Sequence, residues 1–405
     1  MQHTETPVTR PVARVLETPH DLAAAFEVFR IALVGIPRWP GEITAIHEPG
    51  RTFGGYVDDE LVGTACAFST RIVVPGGARL PHLAVTRVGV LPTHTRRGVA
   101  RALMNAQLSD ARQRGVPIAT LRAAEGGIYE RYGYGVAGWN QVVEVAARRA
   151  AFRAGVPLGG PVRLARPDER WPLQRRIYER VDPGWIGAIS RTDEWWATRR
   201  VRAEEDKQEP HVVVHGRPGA ETGYARYHAA SGPDEPGAVE VDDLVAADDV
   251  TRAALLRYLF TIDLVDTVRF GALALDDPLR LMLVDERPVR TVAVEDEIWL
   301  RLVDVPAALA ARSYRGSGEI VVGVTDPVLP ENSGSYWISA SGVKPTTAAP
   351  HLTVGVATLG ALYLGGTRWA QLAAVGRVEV AEPGALAVAD ELFATDAAPF
   401  CGTFF

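Results

Sequence analysis

The segment VGVLPTHTRRGVARALM (88–104) carries a β-branched strand into a short polar loop and then into a helix that begins near Gly98. The first N–H groups of a helix have no internal partner, and the peptide dipoles add partial positive charge there. Gly98 leaves room for a diphosphate to approach the backbone, while Arg96 and Arg97 add charged donors. This chemistry favours an anionic cofactor over an apolar one. The competing reading is a plain strand–loop–helix connection with two solvated arginines; no G-x-G-x-x-G or Walker lysine points to another nucleotide loop. The other conspicuous stretch is APFCGTFF (398–405), which ends on two phenylalanines. Chain ends are usually polar and frayed. This one asks to be buried, and burial takes a carboxylate along that is costly unless partnered or used.

The elements that must hold these features alternate between helix and strand. Residues 21–33 (DLAAAFEVFRIAL) read as an amphipathic helix with Asp21 placed to cap it. Residues 51–74 read as two strands around a turn, 81–92 as a strand ending at Pro92, and 117–124 as another strand. Between the last two, 98–115 form a helix with Ala100, Leu103, Met104, Leu108 and Ala111 on one side, stopped by Gly115 and Pro117. After an irregular stretch (148–169) the order returns: helix 171–181, strands 222–230 and 238–246, helix 248–262, strand 267–275. We read two copies of one α/β plan, related by element order rather than by identity. A third, α+β unit starts near 293. The expected divisions are 1–150, 151–292 and 293–405. In the second copy the helix start reads LVAADDVTRAALL (244–256), where Asp248 and Asp249 would satisfy the free N–H groups and repel a diphosphate. That copy is expected to be a scaffold.

The composition narrows the classes. A chain of 405 residues has room for two or three domains, and 47% hydrophobic with 23% charged residues is ordinary globular usage. No uninterrupted apolar run approaches a membrane span. Two cysteines make no disulfide scaffold, and the first residues lack a secretory signal, so the expected compartment is the cytoplasm. A net charge of −6 disfavours a general nucleic-acid binder. The nine histidines show no metal spacing, and no metal is expected. Cys401 could be a nucleophile, although a small buried thiol is the commoner fate. His94 could be a base or a phosphate contact, or simply a solvated loop residue. Trp39 and the DEWW segment (193–196) could line a cationic pocket or pack internally. Residues 26–42 offer only two acids, Glu27 and Glu42, few for a polycation.

Thr95-Arg96-Arg97-Gly98-Val99-Ala100 resembles the acetyl-CoA loop of the Gcn5-related N-acetyltransferases (GNAT), with threonine where that motif usually starts on Arg or Gln. The resemblance implies that Val88, Gly89 and Val90 pair with the pantetheine arm, that backbone donors of this strand polarise the thioester carbonyl, and that Arg101, Ala124 and Glu125 complete the cofactor site. The motif Ile128-Tyr129-Glu130-Arg131-Tyr132-Gly133-Tyr134 matches the superfamily's acid, making Tyr129 the expected donor to the CoA thiolate, with Tyr132 and Tyr134 as rivals. A phenol of pKa about 10 carries that proton at neutral pH. These motifs, the two successive units, VPAALAAR (305–312), LGALYLGG (359–366) and the aromatic end together resemble the enhanced-intracellular-survival (Eis) family. That family implies two tandem GNAT-like domains, the second degenerate, then a sterol-carrier-like domain that delivers the C-terminus. It also implies the Phe405 α-carboxylate as general base, with Phe404 and Phe400 fixing the end. The acceptor would be an aminoglycoside- or polyamine-like amine, and the assembly a homohexamer. A protein-lysine acetyltransferase and a non-catalytic CoA or ligand sensor or carrier are the alternatives.

Overall fold

The computed structural model describes residues 10–205, 210–230 and 237–405. One mixed sheet spans the first two units. Its strands, in chain order, are β1 (Val12–Leu16), β2 (Thr52–Val57), β3 (Glu60–Val73), β4 (Arg79–Val90), β5 (Ile118–Leu121), β6 (Gly135–Ala146), β7 (Val162–Leu164), β8 (His211–Arg217), β9 (Ala220–Ala229), β10 (Ala238–Ala246), β11 (Thr267–Ala274) and β12 (Val289–Leu302). Across the sheet they lie β1-β2-β3-β4-β5-β12-β6-β11-β10-β9-β8-β7. Helices α1 (Pro19–Ala32) and α2 (Val99–Gln113) belong to the first unit, and α3 (Arg170–Val181), α4 (Asp193–Glu205) and α5 (Asp249–Phe260) to the second. Helix α1 starts earlier than the sequence suggests. Thr18 is extended and its hydroxyl accepts the Asp21 N–H at 3.1 Å, so Asp21 sits inside the first turn and Pro19 opens the helix.

The order shows an exchange between the units. β5 of the first pairs with β12, the last strand of the second, while β11 of the second pairs with β6, the last strand of the first. β6 and β12 pair with each other at the centre. Each unit lends its closing strand to the other, so neither sheet is complete alone. β12 is continuous across 292/293, and the division expected there falls inside a strand of the large sheet. The third unit begins after Leu302.

That unit comprises α6 (Val305–Ala311), a sheet of order β15-β14-β13-β16-β17, and α7 (Val356–Tyr363), α8 (Trp369–Ala374) and α9 (Ala385–Phe393). Its strands are β13 (Glu319–Thr325), β14 (Gly334–Ser339), β15 (Gly342–Thr346), β16 (Leu352–Gly355) and β17 (Val378–Val380). Helix α7 lies so close to the central strands that a Cβ on Gly135 would fall 1.9 Å from the Ala357 carbonyl, and one on Gly360 would fall 2.4 Å from that of Leu300. Apolar burial is continuous from Phe68 and Ile118 through Leu300 and Leu359 into Val322 and Leu352. Inside this seam Arg301 of β12 is fully buried, its Nη2 donating to both carboxylate oxygens of Asp326 at 2.7 and 2.9 Å, and Asn332 donates to the same carboxylate at 2.9 Å. Asp326→Ala would leave the guanidinium buried without a counter-ion. The expected loss is about 3–5 kcal/mol of unfolding free energy, read by urea titration.

Candidate active site

The cradle is built by a strand that leaves its neighbour. β4 runs parallel to β5 only from His82↔Ile118 to Val85↔Leu121. On its other edge the register with β3 slips between Thr64↔Gly89 and Cys66↔Thr86, and Arg87 takes a positive φ of 50°. This bulge turns β4 away and leaves its β5-facing edge without a strand partner from Thr86 to Val90. The loop beyond holds Arg96 at φ 61° and Gly98 at φ 86°, and such alternation of backbone hand gathers N–H groups into an anion-binding concavity. Helix α2 then starts with no acid in its first turn and no side chain bonded to its N-cap amides. A cleft of about 500 Å³ opens in front, lined by Val88, Val90, Arg96, Arg97 and Gly98, with Met104 beneath.

The expected cofactor residues divide accordingly. Val99, Ala100 and Arg101 line this cleft too. Gly89 faces the opposite way: a Cβ there would lie 2.9 Å from that of Ala32, so this glycine lets α1 pack on β4. Ala124 lines the next cavity, and Glu125 lines neither.

That next cavity, about 410 Å³, lies between α1, the β4 bulge and the end of the chain. Tyr129 and Val88 line both spaces. Tyr129 is buried, its ring set edge-on to Tyr134 at 6.3 Å and tilted to Trp299 at 6.4 Å. Burial, then the neighbouring Tyr132 and Glu125, pushes its phenol up to about 12. Tyr132 lines only the cleft, and Tyr134 is wholly buried with its hydroxyl unpartnered. Of the three rings, Tyr129 alone stands at both spaces.

The chain end reaches the same cavity along a fixed path. Ala398 N–H donates to Asp276 at 2.7 Å and Phe400 N–H to the Ile186 carbonyl at 2.8 Å. The Glu297 carboxylate accepts from the amides of Cys401 and Gly402, at 2.8 and 2.9 Å. Arg191 donates to the Gly402 carbonyl and the Thr403 hydroxyl, both at 3.2 Å, and Trp195 donates to the Phe404 carbonyl at 2.7 Å. Arg191 is itself locked by a bidentate pair with Asp243, at 2.6 and 3.0 Å, to which Tyr224 also donates. Burial opposes both charges, yet their mutual attraction prevails, holding Arg191 above and Asp243 below its ordinary pKa. Phe404 and Phe405 then line the cavity beside Tyr129.

The second unit repeats the wedge. β10 and β11 are parallel from Ala238↔Thr267 to Val241↔Phe270 and pair no further. Here, however, the Asp248 carboxylate occupies the helix start, accepting the Thr251 N–H at 2.7 Å. The tail itself lines this opening through Ala397, Ala398, Phe400 and Gly402.

Several candidates prove to be packing. Trp195 and Trp196 lie under Arg191, 4.4 and 5.4 Å from its guanidinium carbon, so their cation is internal. Trp39 sits edge-on to Phe26 and donates to the Glu42 carbonyl. Cys401 is buried, donates to the Thr403 carbonyl, and its thiol is pushed up to about 12 by burial and by Glu297, a poor setting for a nucleophile. His94 lines the cleft and meets the Thr93 hydroxyl. Sequence reasoning missed Arg87, Arg191 and Glu297. Only the position of Arg87, interrupting an apolar strand, hinted at one of them.

The comparisons with known proteins agree with this geometry. Models of the acetyltransferase (GNAT) domain match residues 22–137 and 187–302, and a sterol carrier protein domain matches 305–402. An N-acetyltransferase of Streptomyces coelicolor is 37% identical over 355 residues, 84% of this chain and 85% of that one. N-acetyltransferase Eis of Mycobacterium tuberculosis is 34% identical over 352 residues, 83% of this chain and 84% of its own. The crystal structure of Eis1 from Mycobacterium abscessus superposes with a TM-score of 0.90 at 39% identity, covering 97% of this chain and all of that one. With two tandem GNAT domains and a sterol-carrier domain closing on one seam, the chain belongs to the Eis family of GNAT N-acetyltransferases.

Proposed function

We propose that this N-acetyltransferase takes its acetyl group from acetyl-CoA and passes it directly to the amine of a small molecule. One observation carries the reading: a cleft headed by an unclaimed helix start meets a second cavity at Tyr129, and the chain end lines that cavity. The bent backbone at Arg96–Gly98 and the α2 amides fit the diphosphate, and the unpaired edge of β4 at Val88 and Val90 fits the amides of the pantetheine arm. Acetyl-CoA supplies an activated thioester at the junction. There the Phe405 α-carboxylate takes the proton from the acceptor ammonium, directly or through water, and freed β4 amides stabilise charge on the carbonyl oxygen. As the new C–N bond forms and the C–S bond breaks, the Tyr129 hydroxyl gives its proton to the departing sulfur, and the second proton shed by the acylated nitrogen restores the phenol. The second unit holds the tail and binds no cofactor. A hexameric assembly and a cytoplasmic location come from the family resemblance and remain within this proposal; the resemblance also implies an aminoglycoside- or polyamine-like acceptor, a choice on which the charge of the cavity walls bears directly.

The test couples calorimetric CoA binding with thiol release over an amine panel. Gly98→Val would strain a left-handed position and turn the cradle amides, and losing one or two charge-assisted bonds of about 1.5–3 kcal/mol each predicts at least tenfold weaker CoA binding. Wild-type protein that neither binds CoA nor releases thiol with any amine would refute the proposal.

A further inference from the structure

The walls of the acceptor cavity differ in charge. On the α1 side they are apolar, formed by Phe29, Leu33 and Ile36. Glu27, the acid nearest in sequence, is turned to Arg30 at 2.9 Å and does not line the cavity. On the chain-end side stand Glu295, Asp296 and Phe405. The β4 bulge contributes a cation, Arg87, only 7% exposed. Its guanidinium donates to the Ile46 carbonyl at 2.7 Å and to the Thr198 hydroxyl at 3.0 Å, with the Cys66 sulfur at 3.8 Å. None of these is a carboxylate, and among the described residues no acid comes within ion-pair range. Arg122, in the same cavity, is differently placed: it pairs with Glu297 at 3.3 Å and lies over the Phe404 ring.

A buried cation without a counter-ion is a standing cost, and this one is held at a left-handed position beside the junction of the two cavities. Its field disfavours a second ammonium group there and favours an anion. Within the acetyl-transfer reading, on which this rests, we propose that the acceptor is amphoteric: a primary amine that also carries a carboxylate or phosphate. The amine lies toward Phe405 and Tyr129, and the anionic group supplies the counter-charge that Arg87 lacks.

The test uses the full chain, acetyl-CoA and matched sets of acceptors on one skeleton: an ω-amino carboxylate or amino-alkyl phosphate, the corresponding amide, and the diamine. The anionic acceptor is expected to have kcat/KM at least tenfold above its amide, chiefly through KM, with the diamine lowest. In Arg87→Met the ratio of anion to amide should fall toward one, and Arg87→Lys should restore part of it. The wild-type ratios decide the matter even if Arg87→Met folds poorly. An amide or diamine that equals the anion overturns the proposal while leaving acetyl transfer standing. Absence of turnover with every amine removes both.

Discussion

Adding a few residues after Phe405, or amidating its carboxyl, is expected to lower kcat by about 10²–10⁴-fold, the usual contribution of a positioned general base, with CoA affinity changed less than threefold. The reasoning starts from the tail's hydrogen bonds. Amides and carbonyls from Ala398 to Phe404 are tied to Asp276, Ile186, Glu297, Arg191 and Trp195, so the last residue has little freedom to find another place. Amidation leaves those bonds intact and removes only the charge at the end, while an extension also crowds the cavity that Phe405 lines. That separates a catalytic carboxylate from a structural anchor. A purely anchoring tail would tolerate amidation and lose stability on extension, whereas a base loses turnover and keeps its melting temperature. Arg191→Met provides the complement. It strands Asp243 in the interior, with an expected loss of about 3–5 kcal/mol, and frees Gly402 and Thr403, so kcat and stability should fall together. Undiminished kcat in the amidated protein, with native melting, would remove Phe405 from the mechanism.

What could be read ahead of the structure was local. The strand–loop–helix around Arg96–Ala100 was legible because a strand end, a glycine and a helix start, the parts a phosphate cradle would need, fall within ten residues of one continuous stretch. The capped helix start of the second unit was legible for the same reason: Asp248 at a helix start says what binds the free amides, and its carboxylate does bind Thr251. The strand exchange was hidden because pairing of β12 with β5 and of β11 with β6 joins residues more than a hundred positions apart, and nothing in period-2 alternation names a partner. It also explains the misplaced division at 292/293, since the strand read from 293 onward is the later part of β12, whose pairing with β6 from Val289 joins it to the large sheet. Gly89 shows a different limit. Its place beside Val88 and Val90 speaks of its backbone, and says nothing of the close approach of Ala32 that its missing side chain admits. Arg87 and Arg191 show a third: a lone arginine in a sequence reads as surface until burial reveals what it must pair with.

Tyr129→Phe is expected to lower kcat by about a hundredfold or more, leaving the KM for acetyl-CoA within a few-fold. The substitution removes one oxygen from a ring packed against Tyr134 and Trp299 and keeps the ring, so the fold should be indifferent. The pH profile supplies the sharper reading. A free phenol ionises at about 10, whereas burial holds this one near 12. The donor therefore stays protonated throughout the range in which the enzyme is stable, and kcat should show no fall attributable to it below pH 10. That elevation has a chemical consequence. A phenol of pKa 12 is a weaker acid than a free one, yet a thiolate leaving beside a buried phenol is also a stronger base than one in water, because burial disfavours both anions. The transfer depends on that match. Opening the junction, by replacing Trp299 with alanine, should lower the phenol's pKa and bring an alkaline limb into view near 10. If Tyr129→Phe retains wild-type kcat, the proton comes from elsewhere. Tyr132 is then the first ring to test, because it lines the cleft within the same turn.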